Sequence, residues 1–395
     1  MTGIDAAATD RISEFLAANR DLATPFLLVD LDVVARRYAQ LLDALPTSTV
    51  FFAVKANPAP EVVRLLVELG SSFDVASPGE IDLCLDLGAD PAKLSYGNTI
   101  KKEADIAYAV RRGLRMFTVD SPAELDKVLR QATEPVTIFV RIVTDGAGAD
   151  WPLSRKFGCS VTEAGPLLHR AAEAGHRAGV CFHVGSQQRN PQAWDTPLAQ
   201  IAELFADLRA AGHEPAGINL GGGLPSTYTD ATPSVDEFGA AIRAALVRHF
   251  GHEDAYRTII EPGRYLVGDA GVIQTEVVLI AERDSDPGRR WVYLDLGLFN
   301  GLTEALGEAI RYRIRTPRPG VGAPVVLAGP SCDSADVLYE TYEYQLPAEL
   351  AIGDRIEFLA TGAYTQSYSS VWFNGFTPLS SHYLPATSLR LTSVG

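Results

Sequence analysis

The chain has 395 residues, 47% of them hydrophobic and 21% charged, with 34 basic against 49 acidic side chains and a net charge of −15. That is an ordinary globular composition, enough for two or three domains or one large barrel with an attached module, and it argues against disorder, collagen and coiled coil. The negative balance disfavours nucleic acid or an anionic membrane surface as partner and would attract a small cationic substrate. No apolar run reaches the roughly 18 residues of a membrane span, the first twenty residues lack the apolar core of a secretory signal, and four scattered cysteines (84, 159, 181, 332) point to reduced thiols in a cytoplasmic chain.

Residues 1–20 read as a short amphipathic helix with Asp10 as its N-cap, and FLLVDL (26–31) reads as a strand. Eight short apolar, β-branched runs follow: VFFAVKA (50–56), SFDVAS (72–77), KLSYGN (93–98), RMFTVD (115–120), VTIFVRI (136–142), GVCFHVGS (179–186), GINLGGG (217–223) and TIIEPGR (258–264). Between them lie segments with apolar residues at helical spacing, such as EVVRLLVELG and KKEADIAYAVRRG. Eight β/α repeats are the closure number of a (β/α)8 TIM barrel, although a doubly wound open sheet gives a similar pattern. Beyond residue 265 the pattern changes to strands separated by turns: GVIQTEVVLIAERD, RRWVYLDLG, APVVLAGP and DRIEFLAT. The reading is an α/β barrel over 36–268 and a C-terminal all-β, Greek-key-like domain over 269–395 that also recruits residues 1–35.

Polar residues collect where the eight runs end. Lys55 closes the first, Asp74 and Ser77 the second, Asn98 the third, Asp120 the fourth and Arg141 the fifth. His183 and Ser186 close the sixth, Gly221–Gly223 the seventh, and Glu261 to Arg264 the eighth. The C-terminal rim is where such barrels build their active sites. The chain has only six lysines (55, 93, 101, 102, 127 and 156), and Lys55 alone interrupts a strongly apolar strand. A charged amine is costly there unless paired, and a desolvated lysine with lowered pKa forms a Schiff base with an aldehyde; a lysine snorkelling from a strand end is the plainer alternative. The triple glycine after the seventh strand and the arginine after the eighth describe a backbone-and-cation cradle for a phosphate. A lysine for an aldehyde and a cradle for a phosphate on one rim point to pyridoxal 5'-phosphate.

The motifs FFAVKANP, FDVASPGEI, FHVGSQ, NLGGGLP, EPGRYLV, GPSCDSADVL and GAYTQSYSSVWFNGF resemble those of the fold-type III (alanine-racemase-fold) pyridoxal phosphate decarboxylases, and are most similar to ornithine and lysine/ornithine decarboxylases. The match runs from about residue 24 to 385. The resemblance implies decarboxylation of a basic L-amino acid, ornithine to putrescine first and lysine to cadaverine second, in polyamine biosynthesis, by a homodimer with active sites shared between subunits. It implies Lys55 as the coenzyme lysine, Glu261 at the pyridine nitrogen, and His183 stacked on the ring. Ser186, Gly222, Gly223, Gly263, Arg264 and Tyr364 would hold the phosphate, with Asp74 and Arg141 in support. Cys332 would return a proton to Cα, and Asp333, from the same partner subunit, would take the distal ammonium of the substrate.

Cys-Asp-Ser at 332–334 departs from the Cys-Glu-Ser of diaminopimelate decarboxylases, which disfavours that substrate, and arginine decarboxylases of this fold are expected to be longer chains. Where eukaryotic ornithine decarboxylases carry a second aspartate, this chain reads FNGLTEALGEAIRY, with Glu304 or Glu308 as the nearest acid; Glu304 is the first choice for the substrate pocket. One methylene of substrate length is worth only about 1–3 kcal/mol in a pocket, so activity on both ornithine and lysine is compatible with this reading. The segment 144–158, TDGAGADWPLSRKFG, resembles the family's mobile loop. His249 and His252 have helical spacing but no third ligand nearby, so no metal is expected. A catalytically dead regulatory homologue, like the antizyme inhibitors, would be expected to lose coenzyme residues; Lys55, Glu261, Arg264 and Cys332 are all present.

Overall fold

The computed structural model describes residues 6–153 and 155–387. These residues form two compact units: 6–34, 226–231 and 266–387 in one, and 35–225 with 232–265 in the other.

The second unit is the expected barrel. Its eight parallel strands are Ser48–Ala53, Ser72–Val75, Leu94–Tyr96, Met116–Val119, Thr137–Arg141, Arg177–Cys181, Ile218–Asn219 and Thr258–Ile260. Each pairs with its neighbours in sequence order, and the eighth returns to the first in the register Thr258↔Ser48, Ile259↔Thr49 and Ile260↔Val50, which closes the ring. Closure is reinforced by a hydroxyl–hydroxyl bond between Ser48 and Thr258 (2.8 Å) and by the Ala53 amide donating to Pro262 O (3.0 Å). Phe51, Met116, Phe139, Cys181 and Ile259, from five different strands, form one buried cluster. Gly179 makes room for it, since a Cβ there would lie 2.7 Å from the Phe139 ring.

The intervening helices start on local signals. Ser77, Ser121, Ser160 and Ser234 cap helices by accepting the amide of a glutamate three residues on, and at Ser160 and Ser234 the glutamate completes a capping box. Pro60, Pro78 and Pro122 occupy first-turn positions, where a missing N–H costs nothing.

The other unit is built on an eight-stranded mixed sheet. Its long central strand, Gly271–Glu282, pairs antiparallel with Phe26–Asp30, Arg355–Leu359 and Arg290–Leu294; Gly322–Ala328 runs parallel to Arg290–Leu294 and antiparallel to Val337–Pro347. Phe26–Asp30 also pairs in parallel with Ser380–Leu384.

Several expectations are corrected. The first helix spans Ala6–Ala18, so Asp10 lies inside it rather than capping it. The first barrel strand stops at Ala53, which leaves Lys55 in a 3-10 turn just beyond it with half of its side chain exposed. The fully buried lysine is Lys101, expected within a helix but lying ahead of Glu103–Arg111. Its amine donates to Asn98 O (2.7 Å) and Thr118 O (2.6 Å) and pairs with Glu124 (3.0 Å). All three protons are spoken for, so this buried amine is structural, and it joins the ends of the third and fourth barrel strands. No helix among the described residues is long and apolar enough to cross a membrane.

Lys101→Met strands two buried carbonyls and half of an ion pair, while Lys127 still offsets the Glu124 charge. It should lower unfolding free energy by about 3 kcal/mol, read as a denaturant midpoint shift at constant m-value. The exposed neighbour Lys102→Met should change it by less than about 0.5 kcal/mol.

Candidate active site

Closure of the barrel brings residue 55 to the same rim as residue 261. Lys55 Nζ donates to Asp74 Oδ2 at 3.1 Å, from the turn after the first strand to the end of the second. Asp74 is buried, and its Oδ1 has no hydrogen-bond partner among the described residues. Glu80 lies on the helix after the second strand, where Ser77 caps its amide and its own carboxylate accepts the Ala76 amide (2.7 Å). Burial lifts the Glu80 carboxyl above its usual pKa, against the pull of the Ala76 bond and of Lys55. Sequence reasoning missed this further carboxylate, although Ser77-x-x-Glu80 in FDVASPGEI has the spacing of a capping box and so marks the residue.

Glu261 follows the eighth strand. Its Oε1 accepts from Asn219 Nδ2 (2.5 Å), and Asn219 in turn accepts the Gly221 amide (2.9 Å), which fixes the direction of both bonds. Burial first, and then the Asp74 carboxylate, push the Glu261 pKa up to about 7, while Asn219, Lys55 and Arg141 pull the other way. Asn219 was another residue passed over; an asparagine inside a barrel strand was its only signal.

His183 lies two residues past the sixth strand, where its Nδ1 accepts the Gly185 amide (3.1 Å). Burial, then Arg141 and Lys55, hold the imidazole well below its usual pKa, so it is neutral at pH 7 with its proton on Nε2. Cys181, at the end of the same strand, has its thiol raised well above the usual range by burial and is an inert packing group.

On the barrel side the structure brings Arg264 to Ser186, beside the triple glycine. Arg264 is buried, and its Nε and Nη2 donate to Ser186 Oγ at 3.3 and 3.1 Å. Gly221 and Gly223 adopt φ of +65 and +120, conformations that suit glycine. A Cβ on Gly222 would stand 2.7 Å from Glu261 O and 3.0 Å from His183 Nε2, filling the space beside the imidazole. Gly263 is buried immediately before Arg264.

Pyridoxal phosphate carries an aldehyde, a ring nitrogen and a phosphate. The barrel rim supplies an amine, a carboxylate of raised pKa, a neutral imidazole beside glycine-cleared space, and a buried guanidinium with a hydroxyl. The donor set fits the group.

The segment 144–158 is less free than expected. Ala149–Trp151 pairs antiparallel with Ser186–Gln188, which anchors the cradle serine, and the Gly158 amide donates to Asp120 (2.9 Å).

The sheet unit carries the remaining candidates. Tyr364 is held at φ +55, with its ring 5.7 Å from that of Tyr368. Cys332 and Asp333 are exposed on a turn organised by buried Asp336, whose carboxylate accepts the amides of Leu298 (2.7 Å) and Ser331 (3.0 Å). The Cys332 amide donates to Asn374 (2.8 Å), and Asp333 Oδ1 accepts the Ala335 amide (2.9 Å). Glu304 is buried in the turn Thr303–Glu308. Glu308 is committed elsewhere: it accepts the amides of Glu340 (2.8 Å), Thr341 (2.6 Å) and Tyr342 (2.7 Å). His249, one of the spaced histidines, bonds Asp195 at 3.0 Å.

The family model described as pyridoxal-dependent decarboxylase, pyridoxal binding domain, matches residues 31–268. The chain is 36% identical to a lysine/ornithine decarboxylase of Selenomonas ruminantium over 90% of its own length and 88% of that protein. A lysine/ornithine decarboxylase from Vibrio vulnificus, solved with putrescine, superposes with a TM-score of 0.84 at 32% identity, covering 96% of this chain and 99% of that one. The arginine decarboxylase of Paramecium bursaria Chlorella virus superposes with a TM-score of 0.85 at 28% identity, covering 95% and 100%. An arginine decarboxylase of this size removes chain length as an argument against arginine. Motif order, barrel-rim chemistry and these likenesses agree: the chain belongs to the pyridoxal-phosphate-dependent decarboxylases of fold type III, in the branch that acts on basic amino acids.

Proposed function

We propose that this enzyme decarboxylates L-ornithine to putrescine and carbon dioxide, a step of polyamine biosynthesis, with L-lysine as the alternative substrate giving cadaverine. The observation that carries the reading is the barrel rim itself, where Lys55–Asp74, Asn219–Glu261, His183 and Ser186–Arg264 meet with the roles the coenzyme needs. When bound, pyridoxal phosphate supplies the electron sink for the pair released as the bond from Cα to the carboxylate breaks.

Lys55 is the residue proposed to hold the coenzyme aldehyde, with Asp74 fixing the amine's direction. Glu261 is assigned to the ring nitrogen. A carboxylate that resists ionisation in the bare protein gains most from a cationic N–H placed against it, so its raised pKa suits that partner. Neutral His183 adds a flat face without adding charge. Ser186, Gly222, Gly223, Gly263, Arg264 and Tyr364 are proposed to hold the phosphate, and Arg141 to offset the rim carboxylates.

Cys332 is proposed to deliver the proton from its Sγ to Cα, and Asp333 to take the distal ammonium by a charge-assisted bond. Both are exposed in the single chain, and Cys332 is tied through Asn374 to a strongly apolar surface: Val371 and Trp372 are 68% and 64% exposed, with Phe373 and Phe376 beside them. A second copy of the chain covering that surface is the proposed arrangement, with the thiol and Asp333 completing the partner's barrel site. Glu308 is occupied by three backbone amides, so Glu304 is the acid of its segment proposed to set pocket length.

Carbon dioxide release from ornithine, lysine, arginine and diaminopimelate tests the substrate. Ornithine should give the highest kcat/KM, with lysine within about 200-fold; a lead for diaminopimelate or arginine would overturn the proposal. Asp333→Ala should raise KM for ornithine roughly 10- to 100-fold, the worth of a charged hydrogen bond, with coenzyme absorbance unchanged.

Inactive Lys55→Ala and inactive Cys332→Ala proteins, mixed one to one, should recover about a quarter of wild-type activity. Random pairing makes half of the dimers hybrid, each with one intact site. No recovery after demonstrated subunit exchange would reject the shared site.

Glu261→Gln separates function from stability. The folded pKa of Glu261 lies above its unfolded value, so the folded coenzyme-free protein keeps a proton that the unfolded chain has released between pH about 4.5 and about 7. Stability falls as pH rises through that window, and the loss is complete above it. The glutamine variant should lose activity by about 100-fold or more, yet its coenzyme-free form at pH 8 should melt no lower than wild type. A lower melting temperature with activity retained would reverse the assignment.

A further inference from the structure

Arg141 ends the fifth barrel strand, and residues 157–159 return over it. The Cys159 amide donates to Arg141 O (3.0 Å), its thiol reaches the same oxygen at 3.4 Å, and the Val143 amide donates to Cys159 O (2.9 Å). Gly158 makes the approach at φ +91, where a Cβ would stand 2.8 Å from Val143 N, and its amide is held by Asp120. One residue earlier, the Phe157 ring centroid lies 5.2 Å from Arg141 Cζ and 4.9 Å from Lys156 Nζ. The Arg141 backbone and head group are therefore gripped by one short segment, residues 157–159.

We infer that Phe157 is a positioning residue: its ring holds the Arg141 guanidinium against the rim charges and so couples the seating of residues 156–159 to the electrostatics of the site. A delocalised, weakly hydrated guanidinium suits an aromatic face, and the attraction grows where water is excluded. What Arg141 does from that position is visible in its neighbours. It favours the ionised form of Glu261 and disfavours protonation of His183. Glu261 is faced by Lys55 from the first strand's turn, by Asp74 from the second strand, by Arg141 from the fifth and by Asn219 from the seventh, and Glu80 lies near Lys55 and Asp74. Two cations thus face three carboxylates, and releasing one guanidinium toward water alters the local field directly. The inference rests on the proposal that Glu261 works as a carboxylate in decarboxylation.

The test uses the coenzyme-loaded enzyme and the pH dependence of kcat/KM. Phe157→Leu should move the acidic limb up by about half a pH unit, the shift expected when one cation–π contact no longer holds the guanidinium in place. Phe157→Trp should restore the wild-type limb. Arg141→Gln should move the limb at least as far, and adding Phe157→Leu to it should move it no further. An unshifted limb in Phe157→Leu, beside a shifted one in Arg141→Gln, overturns the role of Phe157 and leaves the Glu261 proposal standing. No shift in Arg141→Gln overturns both. If the leucine variant does not load coenzyme, Phe157→Met, closer to phenylalanine in volume, takes its place with the same expectation.

Discussion

The closing ladder of the barrel is the constraint on which the site depends. Residues 258–260 must find 48–50 across some 200 residues of chain, and nothing local announces that pairing. Once it forms, the sheet has no edge left to satisfy, and two rims separated in sequence become neighbours. The Ala53 amide bonded to Pro262 O extends the pairing past the strands proper, into the turns that carry Lys55 and Glu261. A barrel open at this seam would still have eight strands and its helices, but Lys55 and Glu261 would belong to opposite ends of a sheet.

Closure also concentrates charge. Asp74, Glu80 and Glu261 meet Lys55 and Arg141 at one mouth, and the raised pKa values of Glu80 and Glu261 record first the burial of these carboxylates and then the nearness of Asp74. Such an arrangement does not serve the bare fold, because glutamine at 261 could accept the Asn219 bond without the charge. It serves a ligand that brings its own positive group, and this is the sense in which the site is built for a coenzyme rather than for stability.

Much of this was legible in the sequence, for identifiable reasons. Eight strands buried on both faces produce continuous apolar runs with polar residues at their ends, and those ends are the rim. Lys55 was noticed because it broke such a run. The inferred reason, a desolvated amine in a strand, was wrong: the strand stops at Ala53 and Lys55 is half exposed, while the desolvated amine belongs to Lys101, hidden in a polar stretch that looked helical. Burial of a charged side chain is set by tertiary partners, here two carbonyls and Glu124, which local pattern does not contain. Val337–Pro347 was not read as a strand although YEYQL (342–346) alternates apolar and polar residues with period two; the phase breaks at Glu340-Thr341, which hides the rest of the strand. The choice between Glu304 and Glu308 was not legible at all, since it turns on amides 32 to 34 residues away.

The two units fix their functional residues by different means, and the difference bears on how such enzymes diverge. On the barrel, Lys55, His183, Glu261 and Arg264 stand at or just past the ends of strands tied on both sides into a closed ladder, so moving one means disturbing a ring. In the sheet unit, Cys332, Asp333 and Glu304 stand on turns held largely by single carboxylates: Asp336 on the amides of Leu298 and Ser331, and Glu308 on three amides of 340–342. One substitution at such a clamp can move a turn without threatening the core. Proteins solved as lysine/ornithine and arginine decarboxylases superpose on this chain with TM-scores of 0.84 and 0.85. Residues on rigid strand ends for the coenzyme, combined with the proposed substrate contacts on clamped turns, would let specificity change by amounts of about 1–3 kcal/mol while the reaction chemistry stays fixed.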